Sequence, residues 1–484
     1  VIILADDVGN ADLDYGGGYV RNSQDKDGVS RSEERAVQQN MTESPELKNA
    51  VANRPGQDGW RIAWCHTGDS GGSKRAAFEM VRELSARGHV IDEFILRIGE
   101  PHENHWPLKE FVQAQRRVAV ALPHNRLRPY ALSAWVGLAQ KRLTLDAFVG
   151  RLRATAEDIE RGDYDFVHID HVSPSGIVPL SAMLRKPSVV YSHEVVGIRS
   201  RWSGLASRGE TVSWPRRCYG RLCAAAEQTY SRLNDRRDTM GLQAASLVLT
   251  NSFYSKEAMF QHHFTESRVC RYGVSITTFH PLGLPVEPML LSPGRIVEAK
   301  QHHAVILAAG ELPAARRPRV VVATPETESG QQSPAYCDHL VGLAKRLGVE
   351  LQITRKPTEA ELVALYCRAL AVVFVPIMEP FGLVALEAMA CGTPVIGVHE
   401  GGVRESVVEG VSGILVERGS PEIAAAIERL MGDPALRSSL GKSARDYVCR
   451  GWTWEATIDR YEDCVRRVLA KEQGASDRTG ELVR

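Results

Sequence analysis

The sequence predicts an α/β protein made of two doubly wound domains that face each other across a cleft. Three observations carry that expectation. Short, apolar, β-branched runs alternate with helical patterns, as in the strand–helix–strand units that build parallel sheets. The alternation runs once, is interrupted by the Pro-rich segment "FHPLGLPVEPML" at 279–290, and then restarts. The chain has 484 residues, 43% of them hydrophobic, which is apolar material for more than one core.

Residues 21–58 are polar and show no apolar period, and 1–58 as a whole reads as a leader or linker outside the main fold. Patterning begins with a strand at 61–65, a Gly-bearing loop, a helix at 74–87 and, after Gly88, a second strand. Helical patterns occupy much of 107–161. The stretch "YDFVHIDHVSPSGIVPLSAMLRKPSVVYSHEVVG" reads as strand, loop, helix, Lys-Pro break and strand. A helical stretch runs to about 245, followed by the strand "SLVLTNS" and the helix "FYSKEAMFQHH", closing an N-terminal domain of 59–280. The second domain, 281–448, repeats the alternation through "LLSPGRIV", "PRVVVAT", a helix at 335–347, "VELQIT", "TEAELVALYCRA" and the strand "LAVVFVPI". A further helix and tail occupy 449–484.

Composition excludes several classes. The 59 basic and 59 acidic residues cancel, so no global field gathers nucleic acid. The nine cysteines are scattered without a CxxC pair, which suits a reducing cytosol. No apolar run reaches the roughly 18 residues of a membrane span. The first residues lack the basic region of a signal peptide.

The chemistry concentrates in "EPFGLVALEAMACGTPVIGV" at 379–398. A loop at the carboxyl end of a strand carries Glu379, and a helix starts near Gly382 and stops at Cys391 and Gly392. The amides of Phe381, Gly382 and Leu383 at the helix start suit an anion such as a phosphate, and Gly382 allows close approach to the backbone. Glu387 lies more than one turn in, on the face of Leu383, within an apolar segment. A carboxylate there needs hydrogen-bond donors. A ribose diol would supply two, and a structural salt bridge to Arg or Lys would also serve.

The wider pattern, "PIMEPFGLVALEAMACGTPVIGVHEGGVRESVVEGVSGILV", resembles glycosyltransferase family 4, whose members are retaining nucleotide-sugar glycosyltransferases of the GT-B fold, two Rossmann-like domains facing a cleft. Their E-x7-E motif corresponds to Glu379 and Glu387, and Gly401, Gly402 and the GxxGxLV-like stretch Gly410 to Val416 match the pattern that follows. "SPGRIVEAKQHH" resembles the family's Arg and Lys segment, with Gln301 where Gly is frequent. Arg295 and Lys300 would then stabilise the leaving diphosphate; alone, the segment reads as a solvated basic loop. "TGDSGGSKR" resembles the Gly-rich loop of the N-terminal domain, where Gly71 and Gly72 would let the backbone approach donor and acceptor. "SVVYSHEV" resembles the strand ending in a His near the transferred sugar, here His193, although a lone His is also a common structural residue.

The resemblance implies donor binding by the C-terminal domain, acceptor binding by the N-terminal domain, and the 449–484 helix packing back on the latter. Glu379, His193, Arg295 and Lys300 are the candidate catalytic groups; Glu387 would hold the ribose. No metal or other cofactor is implied beyond the nucleoside-diphosphate sugar, and the acceptor would be a glycan, a lipid-linked sugar or a small molecule. Asp163, Tyr164 and Asp165 form a nominal D-x-D just before a strand and read as surface. Other uses of such a fold are a sugar-nucleotide epimerase or a non-catalytic nucleotide-sugar-binding protein.

Two regions fall outside this frame. "VIILADDVGNADLDYGGG" resembles the first strand of sulfatases, where Asp6 and Asp7 would bind a metal, but the Cys/Ser-x-Pro-x-Arg nucleophile motif is absent; an appended leader, unstructured or loosely docked, is the expectation. Residues 199–237 hold nine arginines with Trp202, Trp214 and Tyr219 interleaved. Such a surface can dock on anionic lipid at the inner face of a membrane or serve as a solvated helical face.

Overall fold

The computed structural model describes residues 3–4, 59–67, 72–98, 107–120, 132–172, 176–194, 228–229, 232–325 and 333–481. The leader beyond Ile3 and Leu4, Gly71, and residues 199–227 of the basic stretch lie outside the described residues. Among the described residues the architecture is two seven-stranded sheets in which every pairing is parallel.

The first strand of the chain, β1 (Ile3–Leu4), belongs to the C-terminal sheet. The N-terminal sheet contains β2 (Arg61–His66), β3 (Val90–Ile98), β4 (Ala114–Val120), β5 (Phe166–Val172), β6 (Ser188–Glu194), β7 (Leu247–Thr250) and β8 (Arg268–Val269), in the order β4-β3-β2-β5-β6-β7-β8. The C-terminal sheet contains β9 (Met289–Leu291), β10 (Arg319–Thr324), β11 (Leu351–Arg355), β12 (Ala371–Phe374), β13 (Val395–Val398) and β14 (Gly413–Val416), in the order β1-β11-β10-β9-β12-β13-β14. In each sheet the order reverses next to its first long-range strand, between β2 and β5 and between β9 and β12. Ligands of doubly wound sheets bind beyond the carboxyl ends of the strands at such switch points.

The strands are short and apolar because both faces are covered: β7, β9, β12 and β13 are buried throughout. One core fills the outer face of the C-terminal sheet with Ile306, Leu340, Ile396 and Ile427, and another fills one face of the N-terminal sheet with Phe94, Phe148 and Ile169. A third is continuous between the domains, running from Trp64 and Met80 through Tyr272 and Phe279 to Phe381, Trp454 and Tyr461. The helix Trp454–Glu481 packs on the helix Gly72–Ala86, and Arg87 Nη1 donates to Asp459 at 2.8 Å. Arg445 ties the interdomain segment to the C-terminal domain by donating to the carbonyls of Phe279 (2.7 Å), Ile276 (3.2 Å) and Ala390 (2.6 Å).

The structure departs from the sequence reading at three places. Ala114–Val120 lies inside the stretch read as helical but is the edge strand β4; its exposed arginines Arg116 and Arg117 blur the apolar period and protect the edge. Val178–Met183 is a 3-10 turn rather than a helix, with Ser181 Oγ donating to the carbonyls of Val178 and Gly241. Ile3 and Leu4 pair with Gln352 and Ile353, adding an edge strand to the C-terminal sheet.

Candidate active site

The strand β12 ends in a loop that carries Met378 at φ 44° and Glu379, and leads to Gly382 at φ 96°. The helix Leu383–Ala390 starts there with no side-chain cap, so its first amides face the mouth of the C-terminal switch point. Only glycine fits at 382: a Cβ would meet the Phe374 ring at 2.9 Å in a left-handed backbone. Gly401 and Gly402 are equally constrained, because a Cβ at either would meet the Glu379 or Pro380 carbonyl oxygen at 2.5 or 2.2 Å. Gly402 N instead donates to the Glu379 carbonyl at 2.8 Å, which fixes the loop.

The second wall comes from the loop after β9. Lys300 ends a 3-10 turn (Glu298–Lys300) and directs Nζ at both Glu379 oxygens, at 3.0 and 2.9 Å. The two strands that flank the switch point therefore deliver one cation and one carboxylate to a single place. Gln301 follows at φ 58°, a left-handed conformation that favours glycine. Arg295 is half-buried in the same loop. Its carbonyl accepts from His302 Nε2 at 3.0 Å, and His302 Nδ1 meets Ser292 Oγ at 2.8 Å. A carbonyl only accepts, so Nε2 carries the proton. Burial, with Lys300 and His303 adding to it, pulls the His302 pKa down to about 4, and the bond to Arg295 opposes this only in part.

Glu387 is buried, with its carboxylate held from two sides. Tyr366 donates to Oε2 at 2.6 Å and Arg75 Nη1 donates to Oε1 at 2.6 Å, while Arg75 Nη2 reaches Glu359 Oε1 at 3.2 Å. Burial and the Glu387 charge push the Tyr366 hydroxyl well above its ordinary pKa, so it remains a donor. Arg75 belongs to the N-terminal helix Gly72–Ala86. A Cβ on Gly72 would lie 3.7 Å from Leu383 Cδ1, which places the start of that helix against the start of the Glu387 helix.

On the N-terminal side, β5 and β6 bring Asp170 and His193 together. Asp170 accepts from His193 Nε2 (2.9 Å), His168 Nε2 (3.1 Å) and Trp64 Nε1 (2.9 Å). The other ring nitrogens meet hydroxyls: His168 Nδ1 that of Tyr461 at 2.7 Å, and His193 Nδ1 that of Tyr272. Burial disfavours the Asp170 carboxylate, but the bonds from His168 and His193 outweigh it and hold the group ionised well below the usual range. Tyr272 packs edge-on against Phe381, 4.9 Å between centroids, and so joins this network to the Glu379 loop. Ser252 Oγ donates to the Pro380 carbonyl at 2.6 Å, and Glu405 accepts from the amides of Phe253 and Tyr254 at 2.9 and 2.8 Å.

Comparison with known proteins gives the family of the chain. Residues 279–447 match the family described as Glycosyl transferases group 1, and residues 70–274 match Glycosyltransferase Family 4. A D-inositol 3-phosphate glycosyltransferase of Thermobifida fusca is 31% identical over 418 residues, covering 81% of this chain and 88% of the relative. The protein of the same name from Mycolicibacterium gilvum is 31% identical over 415 residues, covering 81% and 84%. The chain belongs to the group 1, family 4 glycosyltransferases. Its fold is GT-B: sucrose-phosphate synthase from Thermosynechococcus elongatus superposes with a TM-score of 0.64 at 22% identity, covering 85% of this chain and 100% of that one. Anabaena HepE, solved in complex with UDP and glucose, superposes with a TM-score of 0.63 at 18% identity, covering 84% and 100%.

In this glycosyltransferase, the sequence-predicted residues Lys300, Glu379, Gly382 and Leu383 gather at one switch point, with Arg295 in the same loop. Phe381 contributes a buried ring as well as its position beside the helix start. His193 lies at the end of its strand with both ring nitrogens engaged within the protein and its side chain 3% exposed. Glu387 carries the Arg contact that a structural salt bridge would make, and the partner comes from the other domain. Asp163 and Asp165 are exposed at the opposite, amino end of β5, while Tyr164 is a core residue donating to Asp92. Among the described residues no group of three His, Cys, Asp or Glu is placed to hold a metal ion, and no helix is long and apolar enough to cross a membrane. Sequence reasoning missed Arg75, Tyr366, Glu359, Asp170 and Glu405. Arg75 had one available signal, its place just after the Gly-rich loop; the others act through partners distant in sequence.

Proposed function

We propose that this glycosyltransferase is a retaining, metal-independent enzyme that takes a hexose or related sugar from a nucleoside-diphosphate sugar to a hydroxyl acceptor. The observation that carries the reading is the convergence of Lys300 and Glu379 on the uncapped start of helix Leu383–Ala390. A diphosphate placed there meets the helix amides, Lys300 and Arg295, which offset the charge that develops on the leaving group. Glu379 accepts hydrogen bonds from the sugar hydroxyls, and Glu387 accepts from the ribose. His193, fixed by Asp170 and Tyr272, forms the N-terminal wall facing the transferred sugar.

Retention follows from front-side reaction. The acceptor oxygen bonds to the anomeric carbon on the face from which the diphosphate departs, and the acceptor proton passes to the departing phosphate oxygen. No enzyme nucleophile is needed, and the fully engaged ring of His193 fits a positioning role better than a covalent one. The inositol phosphate in the relatives' names makes a phosphorylated cyclitol the first acceptor to try.

The test begins with UDP, GDP and ADP in thermal shift, because the diphosphate that binds stabilises the fold by mass action. Sugar donors of that base are then tried with candidate acceptors, reading nucleotide release and the anomeric configuration of the product. An inverted product overturns retention. Sugar-nucleotide turnover without an acceptor points to epimerisation instead. Undiminished activity in chelator supports metal independence.

A further inference from the structure

Arg75 makes contacts that the reaction scheme does not use. Its guanidinium spans Glu387 and Glu359, which lie on two different helices of the C-terminal domain, while its backbone belongs to the first turn of the N-terminal helix Gly72–Ala86. It also lies over the ring of Phe279, 4.8 Å from the centroid, in the segment that joins the domains. Its side chain is 14% exposed and that of Glu387 is 7% exposed, so the pair is weakly screened by solvent. One residue therefore touches both walls of the cleft and its hinge.

We propose that Arg75 is a positioning residue that couples closure of the cleft to the occupancy of Glu387, its guanidinium competing with the donor's ribose hydroxyls for the same carboxylate. This rests on the assignment of Glu387 to the ribose. A guanidinium at 2.6 Å draws electron density from Oε1 and weakens it as an acceptor, and Tyr366 already uses Oε2. A diol that donates to both oxygens must displace Arg75 or share with it. Displacement releases the tie between the domains, and after departure of the nucleotide the same tie can re-form. Nucleotide affinity and the closed arrangement are thereby linked through one carboxylate.

The test compares the native enzyme with Arg75→Gln, using UDP and 2′,3′-dideoxy-UDP as calorimetric probes and the donor–acceptor pair from the screen for kinetics. Arg75→Gln is expected to bind UDP at least about threefold more tightly, because Glu387 regains its acceptor strength. Affinity for dideoxy-UDP, which has no ribose hydroxyls, should not change. The kcat should fall by up to about threefold, because UDP held more tightly leaves more slowly, while KM for the donor falls or holds. A purely structural role would lower stability and affinity together and would not distinguish the two nucleotides. If Arg75→Gln melts before assay, Arg75→Lys, which keeps the charge but loses the forked guanidinium, should show the same pattern at reduced size. Equal gains for both nucleotides, or unchanged or weaker UDP binding, overturn the coupling. Glu387→Gln with undiminished UDP affinity overturns instead the ribose assignment on which the coupling rests.

Discussion

The two halves set polar groups at the carboxyl ends of their strands in opposite ways. In the C-terminal half, Lys300 and Glu379 are a part-exposed ion pair, 13% and 15% exposed, at the open end of a helix. In the N-terminal half, Asp170 is buried among three donors, and the two imidazoles it orders end on tyrosine hydroxyls. The first arrangement can exchange one partner for a charged ligand, because the incoming charge takes the place of the one it displaces. The second cannot exchange anything without stranding buried donors. The C-terminal pair leaves room for exchange with a charged ligand, and the N-terminal network holds its partners fixed.

The largest expected effect tests the exchangeable side. Lys300→Ala and Glu379→Ala should each lower transfer by at least a thousandfold, or about 4 kcal/mol of barrier. Melting temperatures should move by only a few degrees. Full activity in either purified variant would remove the active-site assignment altogether.

The fixed side should respond in reverse. Asp170→Ala leaves two imidazole N–H groups and an indole N–H buried without their acceptor. A loss of about 3–5 kcal/mol is expected in urea unfolding of the N-terminal domain. Molecules that remain folded should keep activity within about tenfold. A stable but inactive Asp170→Ala would break the comparison, since it would make the network chemical rather than architectural.

His302 offers a pH handle beneath the Lys300 loop. Its folded pKa is near 4, against an ordinary 6.5. Between those values the unfolded chain takes up a proton that the folded chain refuses, so stability is full above about 6.5 and falls as pH drops toward 4. Between pH 7 and pH 5 this one group contributes a loss of ~2 kcal/mol. In His302→Gln the corresponding fall in urea stability should be smaller by that amount. An unchanged slope would mean that His302 takes up its proton in the fold as readily as in the unfolded chain, so that its bond to the Arg295 carbonyl does not keep the ring neutral.

The alternation of strands and helices made both sheets legible, because parallel strands buried on both faces read as apolar runs. The Glu379 to Gly382 loop was legible because its constraint is local: a left-handed glycine, a helix start and a strand end all lie within a few residues. Gln301 shows the same locality from the other side, since the Gly expected there matches the left-handed backbone that Gln301 adopts. The partner of Glu387 was not legible. Arg75 lies 312 residues away on another domain, and no period or spacing encodes such a contact. Asp170 was hidden for a similar reason, as a lone acid in "HIDHVS" whose three donors come from three other positions in the chain. The edge strand β4 was missed because its arginines, which keep an exposed edge from pairing, also break the alternation that marks a strand.

The smallest expected effect lies where the two sides meet. Glu405, on the turn of helix Val403–Ser406, accepts from the amides of Phe253 and Tyr254, the first residues of an N-terminal-domain helix. A carboxylate at a helix start gains from both hydrogen bonds and the helix dipole, about 0.3–1 kcal/mol at a surface and more when partly buried. Its side chain is 14% exposed, and Arg271 stands 3.9 Å away. Beside it, Ser252 holds the Pro380 carbonyl, so this contact sets how the fixed N-terminal side meets the exchangeable loop. Glu405→Gln keeps an acceptor and loses the charge. It should lower kcat/KM roughly threefold through about 0.7 kcal/mol less closure, and leave the maximal extent of reaction unchanged. Because the lost term is electrostatic and near the surface, the gap between native and variant should narrow between about 50 mM and about 500 mM salt. A gap that persists at high salt would show that geometry, not charge, carries the contact. The N-terminal helix would then be held as rigidly to the Glu379 loop as Asp170 is to its donors, and the division into a fixed and an exchangeable side would have to be redrawn at that loop.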